Sequence, residues 1–261
     1  MYKLKEFLNL MEEFAPLSLS YKMIERGDYD NSGIIVENHD QVKGVLFSLD
    51  LSEEAVFRAI KEGANTIVTH HPAIYMPIKN LSSTGETKAL LLAIKNNINV
   101  ISMHLNLDVA ENGIDKCLSE CLGAKESVVL DVIDKNVGYG RAFKIDKISI
   151  TEFTEKLNKK LNTNKIIFYG EREVEQIASF CGAGGSHAVS VLQDAAIKVD
   201  TIVTSDIQHH QLLALIEKGL NVIIIPHYIA EEYGFNKFYE FVLGKVKMQT
   251  KAYYFQDKRF M

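Results

Sequence analysis

Cysteine is scarce in this chain: Cys117, Cys121 and Cys181 are the only three in 261 residues. A low, odd count implies no disulfide framework and makes a reducing, cytoplasmic setting the expectation. Cys117 and Cys121 stand four apart on one face of a predicted helix, and no second cysteine pair follows. They read as buried thiols, with a zinc pair as the alternative. A basic excess is also missing. The net charge is -5 and the pI about 5.9, which speaks against a nucleic-acid binder because phosphate contacts need concentrated Lys and Arg. No stretch reaches the roughly 18 consecutive apolar residues of a transmembrane helix, so no membrane partner is expected. The opening residues, MYKLKEFLNLMEEFAP, carry charge throughout and lack an apolar h-region. They predict a helix rather than a secretory signal.

What is present is an ordinary globular balance, 47% hydrophobic and 24% charged, over a length that can bury a sizeable core. Apolar strands alternate with helical stretches. Helices are predicted over 2–13, Ser52–Glu62, 86–96, 111–122 and about 152–161. Strands are predicted at Val45–Leu49, Thr66–Thr69, Asn99–Met103, 165–169 and along the tail 245–255. A turn is predicted at Gly138–Gly140. The loop CGAGGS (181–186) runs from a strand into a helix, either as a tight turn or as a phosphate cradle. Alternation of this kind predicts an α/β fold with mixed sheets flanked by helices.

Two parts of the sequence echo each other. NTIVT (65–69) matches DTIVT (200–204), and LLAIKNNINVI (91–101) matches LALIEKGLNVI (213–223) in the same order. The echo predicts two similar α/β halves facing one another. The first spans 1–124 and the second 125–261, with a small connecting segment at 125–175. The site is expected between them, where strand C-termini converge.

Five of the eight histidines fall at or just beyond predicted strand ends: His70, His71, His104, His210 and His227. Neighbours on an extended chain point to opposite sides, so His70 and His71 suit two ions, or one ion and a substrate. Exposed strand-end residues are the alternative. His227 and Glu231 have i, i+4 spacing, which puts imidazole and carboxylate on one helical face. Asp108 offers a hard oxygen ligand, and Asn106 can reach the same cleft; a polar loop with an Asx turn is the alternative. Asp206 and His210 stand where the second half mirrors His70 and His71, as supports for ligands or as a local ion pair. A mixed nitrogen and oxygen set suits Zn, Mn, Fe, Co or Ni.

These residues lie in blocks that resemble a known family. The blocks are DNSG (30–33), SLDLSEEAVFRAIKEGANTIVTHHPAIY (48–75), SMHLNLDVAENGID (102–115), GYGR (138–141), CGAGGS (181–186), TSDIQHH (204–210) and PHYIAEE (226–232). The family is the dinuclear-metal-centre proteins named GTP cyclohydrolase type 2 homologues, or Nif-three-like proteins, in their short form. The resemblance implies two divalent metal ions, with His70 and Asp108 on one, His71 and His227 on the other, and Glu231 bridging. It further implies a toroidal homohexamer with metal sites facing its interior. Leu105, Ser205 and Pro226 depart from the family's usual residues, and none of the three replaces a ligand.

A metal pair can activate water near neutral pH, so the expected activity is hydrolysis of a nucleotide or related heterocyclic or phosphorylated compound. Opening of the GTP imidazole ring is the version the family name suggests. His104 and His210 are the candidate catalytic proton carriers. The alternative is a non-catalytic protein that binds metal or a small molecule.

Overall fold

The computed structural model describes residues 1–194 and 196–261. Numbered along the chain, the elements are β1 (Tyr2–Lys3), α1 (Leu4–Glu12), α2 (Leu17–Glu25), β2 (Gly33–Val36), β3 (Gln41–Val42), β4 (Gly44–Ser48), α3 (Glu53–Glu62), β5 (Thr66–Thr69), α4 (Lys88–Lys95), β6 (Asn99–Ser102) and α5 (Leu105–Val109). There follow α6 (Ile114–Cys121), β7 (Val128–Asp134), β8 (Val137–Ser149), α7 (Ile150–Lys160), β9 (Ile167–Tyr169), β10 (Glu173–Ser179), α8 (Gly185–Val191), β11 (Thr201–Thr204), α9 (His209–Glu217), β12 (Asn221–Ile224), α10 (His227–Lys245) and β13 (Lys251–Phe255). The fold is mixed α/β, with three sheets flanked by helices.

The chain divides into two units. One comprises Met1–Ala110 and Phe235–Arg259, the other Glu111–Gly234 and Phe260–Met261. In the first unit, five strands run in the order β13-β4-β5-β6-β2, parallel except for β2 at one edge. Every residue of β4, β5 and β6 is buried, as a parallel sheet covered on both faces requires. A short antiparallel pair, β1 and β3, stands apart from it. In the second unit, six strands run β7-β8-β10-β11-β12-β9. Only β10, β11 and β12 are mutually parallel. Antiparallel β9 closes one side, and the β7–β8 hairpin extends the other.

The sequence echo has a physical counterpart. Each unit holds three parallel strands followed by an antiparallel edge, β4-β5-β6-β2 in one and β10-β11-β12-β9 in the other. Asn65, just before β5, accepts from the Lys43 backbone N–H at 2.9 Å. Asp200, just before β11, accepts from the Gln176 N–H at 2.7 Å. Asn99 opens β6 fully buried and accepts from the Asn38 N–H, while Asn221 opens β12 fully buried and accepts from the Arg172 N–H. Both asparagines satisfy backbone donors beyond the antiparallel edge strand, which explains why a polar side chain is tolerated there.

Local signals act as the sequence predicts at α3. The Ser52 hydroxyl accepts from the Ala55 N–H at 3.1 Å, and Gly63 ends the helix in the left-handed region. Two expectations change. Gly138–Gly140 is not a turn but lies within β8, because β7 passes so close that a Cβ on Gly138 would collide with the Asp131 carbonyl. The tail is not one strand from 245: α10 runs to Lys245 and pairing with β4 starts only at Lys251. Cys117, Cys121 and Cys181 are buried free thiols. No helix among the described residues is long and apolar enough to cross a membrane.

Candidate metal centre

In the first unit, β5 delivers His70 and His71, and β6 delivers His104. The backbone N–H groups of His70 and His71 both donate to the Leu49 carbonyl at 3.1 Å. The chain therefore bends after Thr69 instead of remaining extended. This corrects the expectation that the two rings point to opposite sides: their centroids lie 4.8 Å apart. His104 joins them at 5.2 Å from His70 and 5.8 Å from His71. The three imidazoles form one group that could hold a metal ion. The short helix α5, and not the polar loop that was the alternative, places buried Asp108 one turn after His104. Asp108 Oδ1 lies 3.4 Å from His70 Nε2. Asn106 does not serve this cluster; its amide donates to the Ala15 carbonyl at 2.7 Å.

In the second unit, α10 starts at His227, directly after β12 and Pro226. The predicted i, i+4 spacing brings His227 Nε2 to 3.0 Å from Glu231 Oε1. Glu231 is buried, which an unneutralised carboxylate resists. Gly182 makes room for it: a Cβ there would collide with Glu231 Oε1 and sit 3.5 Å from the His227 ring. The glycine loop thus has a use beyond a tight turn. Helix α8 behind it is only seven residues long.

All four histidines are held alike. His70 Nδ1 donates to the Met103 carbonyl at 2.8 Å, His71 Nδ1 to Asp50 Oδ1 at 2.7 Å, His104 Nδ1 to Asp30 Oδ1 at 2.7 Å, and His227 Nδ1 to Asp206 Oδ2 at 2.7 Å. Each acceptor is a carbonyl or carboxylate, so the neutral ring carries its proton on Nδ1 and keeps a lone pair on Nε2. That is the arrangement of metal-binding histidines backed by a second carboxylate or carbonyl. In two cases the lone-pair nitrogen faces a carboxylate oxygen at 3.4 and 3.0 Å. Two ligands about 2.0–2.2 Å from one ion sit roughly 3.0–3.6 Å apart, so both pairs match a divalent cation. The residues present therefore fit a metal.

Asp30 and Asp50 hold the rings of His104 and His71, and the histidine pattern did not reveal them. Asp30 belongs to the DNSG turn, and Asp50 follows β4 by two residues, a strand-end polar signal like that of the histidines. Burial by itself would raise the Asp30 carboxyl. Hydrogen bonds from His104, Ser20 and Ser32, together with the charge of His104, outweigh it and hold the group at about 2. Asp206 serves His227 rather than His210. His210 lies exposed in the first turn of α9 and enters none of the metal-competent groups among the described residues.

The sequence matches the Duf34/NIF3 (NGG1p interacting factor 3) family over residues 2–258. The chain belongs to that family. A relative from Methanocaldococcus jannaschii, named GTP cyclohydrolase 1 type 2 homolog, is 32% identical over 252 residues, covering 95% of this chain and 97% of the other. A Clostridium acetobutylicum protein of the same name is 29% identical over 235 residues, covering 88% and 85%. Among solved structures, reduced HcgD from Methanocaldococcus jannaschii superimposes with a TM-score of 0.79 at 31% identity, covering 98% of both chains. A hypothetical protein from Staphylococcus aureus reaches a TM-score of 0.84 at 24% identity, covering 98% and 96%, and shares the fold.

Proposed function

We propose that this NIF3-family chain binds two divalent metal ions and hydrolyses a nucleotide or related heterocyclic or phosphorylated compound. His70 and Asp108 would hold one ion and His71 and His227 the other, with Glu231 shared between them. The observation that carries the reading is the common posture of the four histidines, each Nδ1 fixed by an oxygen acceptor so that the neutral ring carries its lone pair on Nε2. The donor set is mixed nitrogen and oxygen, which suits Zn, Mn, Fe, Co or Ni. When bound, such ions supply Lewis acidity and an activated water near neutral pH.

The chain's own residues do the rest. Asp50 and Asp206 orient the rings of His71 and His227. Asp30 holds His104 so that its Nε2 accepts a proton from the reacting water or returns one to the leaving group. Ring opening of GTP is the specific version, drawn from the name of the relatives. The protein acts as a homohexamer in the cytoplasm.

Metal-loaded protein incubated with GTP is expected to release formate faster than His71→Ala. Turnover equal to that of His71→Ala sinks the hydrolase. The exposure of His210 favours a second reading, a non-catalytic metal or small-molecule binder, since it leaves His104 as the placed proton carrier. Under that reading His104→Ala and His210→Ala leave all measurable function intact. Light scattering checks the hexamer, and a monomer at micromolar concentration contradicts it.

A further inference from the structure

We propose that Tyr75 is a stacking surface for a planar nitrogen heterocycle whose anionic remainder reaches the neighbouring histidine cluster. This rests on the metal-centre reading above and names the class of compound that centre accepts.

Tyr75 lies three residues beyond Pro72, in a stretch without helix or strand between β5 and α4. Its ring is nonetheless fixed. The phenol donates to the Tyr29 carbonyl at 3.3 Å, and the preceding Ile74 carbonyl accepts from Asn31 Nδ2 at 2.6 Å. The Tyr75 ring meets Tyr29 edge-on at 5.1 Å and 74°, and meets His104 nearly perpendicular at 6.0 Å and 87°. Tyr29 and Tyr75 stay 44% and 47% exposed, and Met76 and Ile78 beside them are exposed as well. A pair kept only for core packing would be buried. A pair held rigid and left open has the properties of a ligand platform, since its side-chain entropy is already lost before binding.

Charge sets the orientation of the ligand. Burial raises the Tyr75 phenol above its ordinary value, and the negative charges of Asp30 and Asp28 push it the same way. An acidic surrounding repels phosphate from the aromatic end. It accepts a neutral ring that carries N–H donors, as purines and pteridines do. The anionic part of such a compound belongs at the other side of His104, toward His70 and His71, where the ions of the metal-centre reading would offset the Asp50 and Asp108 carboxylates. Stacking tolerates any base with a π-face, so Tyr75 selects the class of ring rather than one member.

Calorimetric titration of the metal-loaded full chain with guanosine 5′-monophosphate, and in parallel with ribose 5-phosphate, tests this. Tyr75→Leu keeps apolar bulk but removes the π-face. It is expected to weaken nucleotide binding by about five- to hundredfold, the range of single-base stacking, and to leave ribose 5-phosphate unchanged. Tyr75→Phe is expected to keep most of the nucleotide affinity. If Tyr75→Leu fails to fold, Tyr29→Leu, which removes the ring propping Tyr75, carries the same expectation with a smaller loss. Equal losses for the two probes, no loss in Tyr75→Leu, or no wild-type preference for the nucleotide overturns the proposal. Metal analysis separates the two readings. A wild-type chain without metal after loading sinks the metal centre, and the difference between the two probes, measured on that metal-free protein, still decides the stacking.

Discussion

The chain ends two strands, β5 and β11, in the same four residues, Thr-Ile-Val-Thr, and then spends the next two positions differently. After β5 come His70 and His71. After β11 come Ser205 and Asp206, and the metal-competent histidine of that unit arrives one strand later, at His227. Where the first unit presents imidazoles directly, the second uses Asp206 to orient one. The supports differ too. His70 leans on a backbone carbonyl, which no side-chain change can remove, whereas His71, His104 and His227 lean on aspartates. At this strand end one topology thus carries two imidazoles that could bind a metal in one copy and a carboxylate that orients an imidazole in the other, because a strand C-terminus fixes where a side chain starts and not what it carries.

Loss of a ligand should have the largest effect. Glu231→Gln keeps size and removes charge, and metal affinity, read by competition with a chelating dye, should fall by more than the ~10–100-fold typical of a lost supporting carboxylate. An unchanged affinity would remove Glu231 from the site. Among the supports, Asp50→Asn should cost more than Asp206→Asn, both within that ~10–100-fold range, because the Asp206 side chain is 63% exposed against 39% for Asp50 and water competes for it. The reverse order in the same titration would break the parallel between the two copies.

Two buried aspartates should respond to pH with opposite sign. Asp30, in the first unit, sits at about 2, below its unfolded value of 3.8. Its contribution, on the order of 2 kcal/mol, is present above pH 3.8 and is lost as pH falls toward 2. The stability gap between metal-free wild type and Asp30→Asn should therefore close over that window in urea unfolding. In the second unit, burial pushes Asp115 up to about 6, against the pull of Arg141 and of the Cys181 and Gly140 N–H groups. Its contribution is full below 3.8 and is lost as pH rises through 6. Wild type should then lose ground to Asp115→Asn between pH 4 and 6. Parallel pH profiles for the two variants would contradict the opposed shifts.

The smallest effect separates two glycines with similar backbones. Gly63→Ala, φ 69° with open space around it, should cost roughly 1 kcal/mol and leave metal binding alone. Gly182→Ala, φ 57° and against Glu231, should cost at least as much and also weaken the metal. Equal metal affinity in the two variants would show that the glycine loop does not shape the Glu231 pocket.

Most of the framework was legible in the sequence. TIVT is β-branched and apolar, Ser52 and Gly63 are cap residues, and the i, i+4 spacing of His227 and Glu231 fixes a shared helical face whatever surrounds it. The supports were harder to read. Asp30 lies 74 residues before His104, in a turn that any polar residues could make, and nothing local couples the two. Gly138 looked like a turn because glycine signals backbone freedom without saying whether a bend or a close neighbour requires it. The return of Phe235–Arg259 to the first unit carries no local mark either. By itself the sequence determined the parallel strands β4, β5 and β6, the caps of α3, the internal repeat and which side chains stand at those strand ends, since these follow from periodicity and short-range hydrogen bonding. Only the tertiary structure decided that His70 and His71 turn to the same side, that His70, His71, His104 and His227 each have a fixed Nδ1 partner, and that Gly182 clears space for Glu231. Those depend on contacts between residues far apart in the chain, which chain entropy conceals until the core is packed.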